Sequence, residues 1–284
     1  MWIVSLISRP GALDKVLVST LQGAFGGGIA TWLAPDEAAE FAVSHLPANF
    51  EEVRLSLADQ VDLNILPAED RRKKMLLADM DSTMIEQECI DELAAEAGIG
   101  GQVREITARA MNGELDFEEA LRARVALLEG QPETIMQKVM RERITFMPGG
   151  KALLNKMRAD GAYLALVSGG FTAFTADVAK QLGFDEHRAN SLLVREGRLT
   201  GQVAMPILGR EAKVKALMEI TSRLGLTASD VLAVGDGAND LGMLGRAGMG
   251  VALHAKPVVQ TECALRINHG TLTALLYLQG IAAD

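Results

Sequence analysis

The sequence predicts an α/β protein: a doubly wound parallel sheet carrying a helical insert, preceded by a small α+β ferredoxin-like module. Three observations lead there. Apolar runs at 75–78, 162–167 and 231–234 are too short for helices and read as strands buried on both faces. Helical patterns separate them, which is the alternation of a parallel sheet. Ahead of residue 70, shorter elements run in the order β-α-β-β-α-β, that of a split βαβ module.

Residues 2–7 read as the first strand, and Arg9-Pro10-Gly11 as a turn. Leu13, Val16, Leu17 and Leu21 recur at helical spacing through 12–25, and Gly26-Gly27-Gly28 ends that helix. Residues 29–33 and 38–45 read as strands around Pro35-Asp36. Asn49 is placed to cap a helix over 49–59, and 61–66 is the last strand of the module. The polar stretch 67–74 reads as a linker, dividing the chain into 1–70 and 71–284.

Beyond the strand at 75–78, helices are expected at 90–97, 102–111, 117–128 (capped by Asp116) and 132–143. This insert, about 85–145, follows the strand end directly, where it can act as a lid. Alternation resumes with a helix at 148–160, a strand at 162–167 and a helix at 171–182. Strands at 189–194 and 198–203 flank the Glu196-Gly197 turn. A helix at 211–224, a strand at 231–234, a helix at 240–247, strands at 250–253 and 264–267, and a helix at 271–278 complete the core.

With 284 residues, 49% of them hydrophobic, the chain can bury a large core. A formal charge of −9 argues against a nucleic-acid groove. Cys89 and Cys263 lie far apart and read as buried free thiols in a reducing compartment. No leader or bilayer-spanning stretch is evident, so a cytoplasmic protein without membrane contact is expected.

The strand ends carry the chemistry. Asp79 and Asp81 end the first, Ser168-Gly169-Gly170 the second, and Asp236 with Asp240 follow the third. Parallel strands deliver their carboxyl ends to one edge of the sheet, where open α/β folds bind ligands. Convergent carboxylates favour a hard cation such as Mg²⁺. A serine hydroxyl and glycine amides suit phosphate oxygens, and Lys213 supplies a balancing cation. Taken singly, Ser168-Gly169 also reads as a strand-exit turn, Lys213 as a solvated helix residue and Asp240 as a helix cap.

The ordered set Asp79-Met80-Asp81-Ser82-Thr83, Ser168-Gly169-Gly170, Lys213 and Gly235-Asp236-Gly237-Ala238-Asn239-Asp240 resembles the haloacid dehalogenase superfamily of phosphatases. Glu88 with Ile90-Asp91-Glu92-Leu93, Ile106-Thr107 with Met111, Phe117 with Arg122 and Arg124-Val125, and Ala255-Lys256-Pro257 extend the likeness to its phosphoserine phosphatases over about 75–280. The resemblance implies Mg²⁺-dependent hydrolysis of phosphoserine through an aspartyl-phosphate, the last step of serine biosynthesis. By it, Asp79 is the nucleophile and Asp81 the general acid. The metal falls to Asp79, the Asp81 carbonyl and Asp236, with Asp240 behind them through water or Asn239. Ser168, Gly169, Gly170, Lys213 and Asn239 hold the phosphate. Glu88 and Arg124 read the ammonium and carboxylate, against an apolar wall of Met111 and Phe117. Arg124 also reads as an exposed ion-pair partner. The first 70 residues resemble an ACT-like domain, leaving amino-acid sensing and a structural or homodimer-forming role both open. A related phosphatase or phosphotransferase acting on another amino-acid phosphate is the neighbouring expectation.

Overall fold

The computed structural model describes residues 1–111 and 114–282. The N-terminal strands are β1 (Trp2–Ile7), β2 (Thr31–Ala34), β3 (Ala38–Val43) and β4 (Asp62–Pro67). They form an antiparallel sheet in the order β2-β3-β1-β4. Helices α1 (Lys15–Ala24) and α2 (Phe50–Ser56) cover one face, burying Leu21, Phe25 and Phe50 against Val4, Phe41 and Leu63. Asp14 caps α1 through the Val16 N–H, whereas Asn49 stands at the cap of α2 without a side-chain bond.

The opposite face of this sheet is not free. Ile7, Ala38 and Leu66 join the core of the larger domain. Asn64 on β4 exchanges two 2.9 Å bonds with the backbone of Arg266, and the Asp62 carboxylate accepts from the amides of Asn268, His269 and Gly270.

The main sheet comprises β5 (Met75–Ala78), β6 (Tyr163–Phe171), β7 (Glu186–Asn190), β10 (Val231–Gly235), β11 (Met249–Leu253) and β12 (Leu265–Ile267). Its order is β12-β11-β10-β5-β6-β7, and every pairing is parallel. Side chains alternate between faces. Leu76, Leu164 and Leu232 face α7 (Gly150–Ala159), α8 (Thr172–Leu182) and α12 (Ala274–Leu278). Met75, Leu77, Ala165 and Ala233 face α9 (Arg210–Leu224), α10 (Leu241–Leu244) and α11 (Pro257–Glu262). Both faces are therefore apolar, which is why these strands read as continuous runs.

The insert between β5 and α7 holds α3 (Cys89–Glu96), α4 (Gly100–Met111), α5 (Phe117–Ala126) and α6 (Thr134–Glu142). Asp116 caps α5, as expected, and Glu119 closes a reciprocal capping box with it. A hairpin of β8 (Leu192–Arg195) and β9 (Arg198–Val203) stands outside the main sheet.

Three expectations change. Residues 189–190 belong to β7, a polar edge strand whose Arg188 pairs with Glu186 and Glu219, and the hairpin begins only at Leu192. Charged edge strands lack the apolar pattern that betrays central ones. The second core strand does not stop at 167; it runs to Phe171 through a bulge between Val167 and Phe171. The helix expected over 240–247 is one turn, Leu241–Leu244, after a 3₁₀ turn at Ala238–Asp240.

Both cysteines are buried free thiols. Among the described residues, no helix is long and apolar enough to cross a membrane.

Candidate active site

Register puts the chemistry on one edge. Ala78 pairs with Val234 on one side and Leu166 on the other. Asp79 is one residue beyond that row, and Asp236 and Ser168 are two beyond it. The three therefore meet at the carboxyl end of the sheet.

Asp79, Asp236 and Asp240 are all buried, and each offers a carboxylate oxygen within 4.8 Å of the others. Lys213, fully buried, rises from α9 between two of them: its Nζ is 2.7 Å from Asp79 Oδ1 and 2.6 Å from Asp240 Oδ1. Burial opposes the ammonium, but the charges of Asp240 and Asp79 outweigh it and hold Lys213 above its ordinary value. One cation against three carboxylates leaves surplus negative charge. Burial, and then the neighbouring Asp240, raise Asp79 well above the usual carboxylate range. Burial, with Glu88 and Asp240, pushes Asp236 up to about 6.

Both oxygens of Asp240 are engaged, Oδ1 by Lys213 and Oδ2 by the Gly237 N–H at 3.0 Å. Oδ1 of Asp79 accepts from the Met80 N–H and faces Lys213. Oδ2 of Asp79 and the carboxylate of Asp236, whose nearest cation is Lys256 at 4.0 Å, are the oxygens left for a ligand. This donor set is hard, anionic and short of positive charge, and it fits a divalent cation such as Mg²⁺.

Asp81 lies on the other side of Asp79. Burial, and then the Glu88 charge, push it up to about 7, while the Cys89 thiol and amide pull the other way. Gly170 is required beside it: a Cβ there would stand 2.8 Å from Asp81 Oδ2 and 3.0 Å from Ser168 Oγ. The Ser168 hydroxyl accepts from the Gly170 N–H at 2.8 Å. Ser82, at φ +53°, turns the chain so that its hydroxyl donates to Glu88 at 2.8 Å.

Asp79, Asp81, Glu88, Phe117, Arg124, Ser168, Gly169, Gly170, Asp236 and Asn239 line one cavity of about 510 Å³ between core and insert. Lys213 and Asp240 are buried beneath its floor. Met111 ends α4, but its side chain is outside the described residues. The ion-pair alternative for Arg124 belongs to its neighbour: Arg122 pairs with Glu118 one turn away, while Arg124 turns inward toward the charges of Asp91 and Glu88. The Phe117 ring lies over Gly169 and Gly209.

Sequence reasoning missed two cations of the cavity, Arg210 and Lys256. Lys256 was visible in Ala255-Lys256-Pro257; Arg210, on a polar helix start, carried no signal. A larger cavity of about 640 Å³ lies at the amino ends of β11 and β12, against the N-terminal sheet and away from these groups.

Residues 76–245 match the model of the haloacid dehalogenase-like hydrolases. The chain belongs to that family. A phosphoserine phosphatase from Streptomyces coelicolor is 41% identical over 257 residues, covering 88% of this chain and 62% of that relative. The crystal structure of a haloacid dehalogenase-family hydrolase from Salmonella enterica serovar Typhi superposes with a TM-score of 0.89 at 30% identity, covering 98% of this chain and 97% of that one. A phospho-aspartyl intermediate analogue of phosphoserine phosphatase superposes with a TM-score of 0.68 at 39% identity, covering 72% of this chain and 98% of that one. As a haloacid dehalogenase-like hydrolase, the chain carries the acidic cluster of its site on the same sheet edge as Ser168.

Proposed function

We propose that this protein hydrolyses O-phospho-L-serine to L-serine and phosphate with Mg²⁺, through a phosphoryl group carried on Asp79. The observation that carries the reading is the pairing of two sites in one cavity. Asp79, Asp81 and Asp236 line it, with Asp240 within 4.8 Å of Asp79 and Asp236, and the oppositely charged Glu88 and Arg124 line the same cavity.

The Asp79 carboxylate attacks phosphorus as the bond to the serine oxygen breaks, and Asp81 delivers its proton to that leaving oxygen. A carboxyl pushed up to about 7 retains a proton near neutrality, as a general acid must. Asp81, now ionised, takes a proton from the water that attacks phosphorus, and the Asp79 carboxylate departs. The Ser168 hydroxyl and the Gly169 amide face the phosphoryl oxygens, where charge gathers in the transition state, and Lys213 lends its positive charge from behind Asp79. Asp79, Asp236 and the Asp81 carbonyl, with Asp240 behind them, would hold Mg²⁺, which would supply positive charge where two anions must approach. Glu88 accepts the substrate ammonium, and the Arg124 fork receives its carboxylate.

The same reading divides the chain into an N-terminal ACT-like domain (1–70) and a catalytic domain (71–284) with an insert at about 85–145, and it places the reaction last in serine biosynthesis. The test is phosphate release from L-phosphoserine, phosphothreonine, sugar phosphates and p-nitrophenyl phosphate, with Mg²⁺ and with EDTA. Mg²⁺-dependent preference for phosphoserine is expected. Turnover of other phosphates alone would overturn the substrate assignment.

A further inference from the structure

The bulge that presents Ser168, Gly169 and Gly170 takes them out of the β6–β7 ladder. Val167 pairs with Arg188 and Phe171 with Asn190, so three residues of β6 stand where β7 has one. A buried carbonyl left without a donor is costly. Here a side chain supplies it: Asn190 Nδ2 donates to the Gly169 carbonyl at 2.8 Å.

The same amide reaches further. Nδ2 also donates to the Leu208 carbonyl at 3.2 Å, and Oδ1 accepts from the Leu208 N–H at 2.7 Å. Asn190 is only 2% exposed. Leu208 immediately precedes Gly209, the cap of α9, and the Ala212 and Lys213 amides both donate to the Gly209 carbonyl. One buried side chain thus ties the loop bearing Ser168 and Gly169 to the backbone from which Lys213 rises. Phe117 of the insert rests on the same two points, Gly169 and Gly209.

We propose that Asn190 is a positioning residue that sets the spacing of Ser168 and Gly169 against Lys213, and so the fit of the site to a phosphoryl group. The inference rests on the phosphatase reading above. The residue type follows from the bonds. Two carbonyls require donors and one amide requires an acceptor on the same short side chain, which asparagine provides. Aspartate would turn an oxygen toward both carbonyls, and serine is too short to span the gap.

The experiment compares the full chain with Asn190→Ala, Asn190→Ser and, as a control on the same strand end, Ser191→Ala. The Ser191 hydroxyl shares a hydrogen bond with that of Thr172 and, among the described residues, with no phosphate-facing group. Three quantities are read: kcat and KM for phosphoserine, inhibition by inorganic phosphate, and inhibition by L-serine. Displacing reacting groups by about 1 Å costs on the order of 10²-fold. Both Asn190 variants are therefore expected to lose about 10²-fold in kcat/KM, and to bind inorganic phosphate more weakly than the native chain. L-serine, read by the insert, inhibits them as it does the native chain, and Ser191→Ala behaves as native.

A lower melting midpoint with KM and phosphate inhibition unchanged would make Asn190 merely structural and overturn the proposal. So would failure of both variants to fold. If the native chain turned over no phosphomonoester, the phosphatase reading would fall. Stabilisation of each chain by phosphate with Mg²⁺, followed by melting, would still decide the role of Asn190: equal stabilisation of variant and native chain would reject it.

Discussion

Replacing Lys213 with methionine removes one buried charge and keeps most of the side-chain volume. The native ammonium is fully buried, 2.7 Å from Asp79 and 2.6 Å from Asp240. Without it, two buried carboxylates face each other, with a third oxygen within 4.8 Å. Removing one partner of a buried ion pair costs roughly 3–5 kcal/mol. Proton uptake relieves part of this, because Asp79 is already held above the usual range. The loss near neutrality therefore falls toward about 3 kcal/mol. At about 2–4 °C per kcal/mol, the melting midpoint in EDTA drops by roughly 6–12 °C. Mg²⁺ restores much of it, since it brings positive charge to the same carboxylates. Adding Asp240→Asn to Lys213→Met also recovers stability, because one orphaned charge is gone. Activity falls by about 10²–10³, the usual effect of losing one stabiliser of developing charge. The assay is melting in EDTA and in Mg²⁺ beside phosphate release. An unchanged EDTA midpoint, or a double variant less stable than the sum of its parts, would refute the reasoning.

Further outcomes are expected. Asp79→Asn should abolish turnover while raising the EDTA melting midpoint, since it removes a buried carboxylate; residual turnover within about tenfold of native would reject Asp79 as nucleophile. Glu88→Gln and Arg124→Ala should each weaken KM for phosphoserine by about 10- to 100-fold, from the loss of roughly 1.5–3 kcal/mol of charged hydrogen bonding; p-nitrophenyl phosphate turnover should hardly change, and an equal loss on both substrates would remove them as readers of the amino acid. Asp236, pushed up to about 6, binds its proton more tightly folded than unfolded; its ionisation therefore penalises the fold as pH rises from about 4 through 6. In EDTA, Asp236→Asn should thus gain stability over the native chain as pH rises from about 4 through 6, and Mg²⁺ should reverse the order; a difference independent of pH would contradict the burial of this charge. Gly170→Ala places a methyl group 2.8 Å from Asp81 Oδ2, and is expected to cut kcat more than it lowers the melting midpoint.

The core strands were legible because both of their faces are buried, leaving unbroken apolar runs bounded by chemistry-bearing residues. Asp79, Ser168 and Asp236 were found by where those runs stop. The edge strand β7 was not, because its Glu186-His187-Arg188 sequence is stabilised by ion pairs rather than by an apolar face. The bulge at Ser168 was equally silent, since Gly-Gly marks a strand end as readily as a strand detour. Asn190 and Arg210 escaped for a related reason. A polar residue acquires meaning from what the fold sets against it, and their partners are about 20 residues or more away along the chain. The N-terminal order β2-β3-β1-β4 follows from the β-α-β-β-α-β sequence of elements. That its second face would be covered by the larger domain, through Asn64 and Asp62, did not follow from the pattern.

The most direct test is to find the phosphoryl group on the chain. Native protein and Asp79→Asn are mixed with phosphoserine and Mg²⁺, quenched in acid within a single turnover, digested and analysed by mass spectrometry. A phosphoryl adduct is expected on the peptide containing Asp79 in the native chain and none in the variant. Rapid turnover with no adduct at Asp79, or an adduct on another residue that persists in the variant, would contradict it.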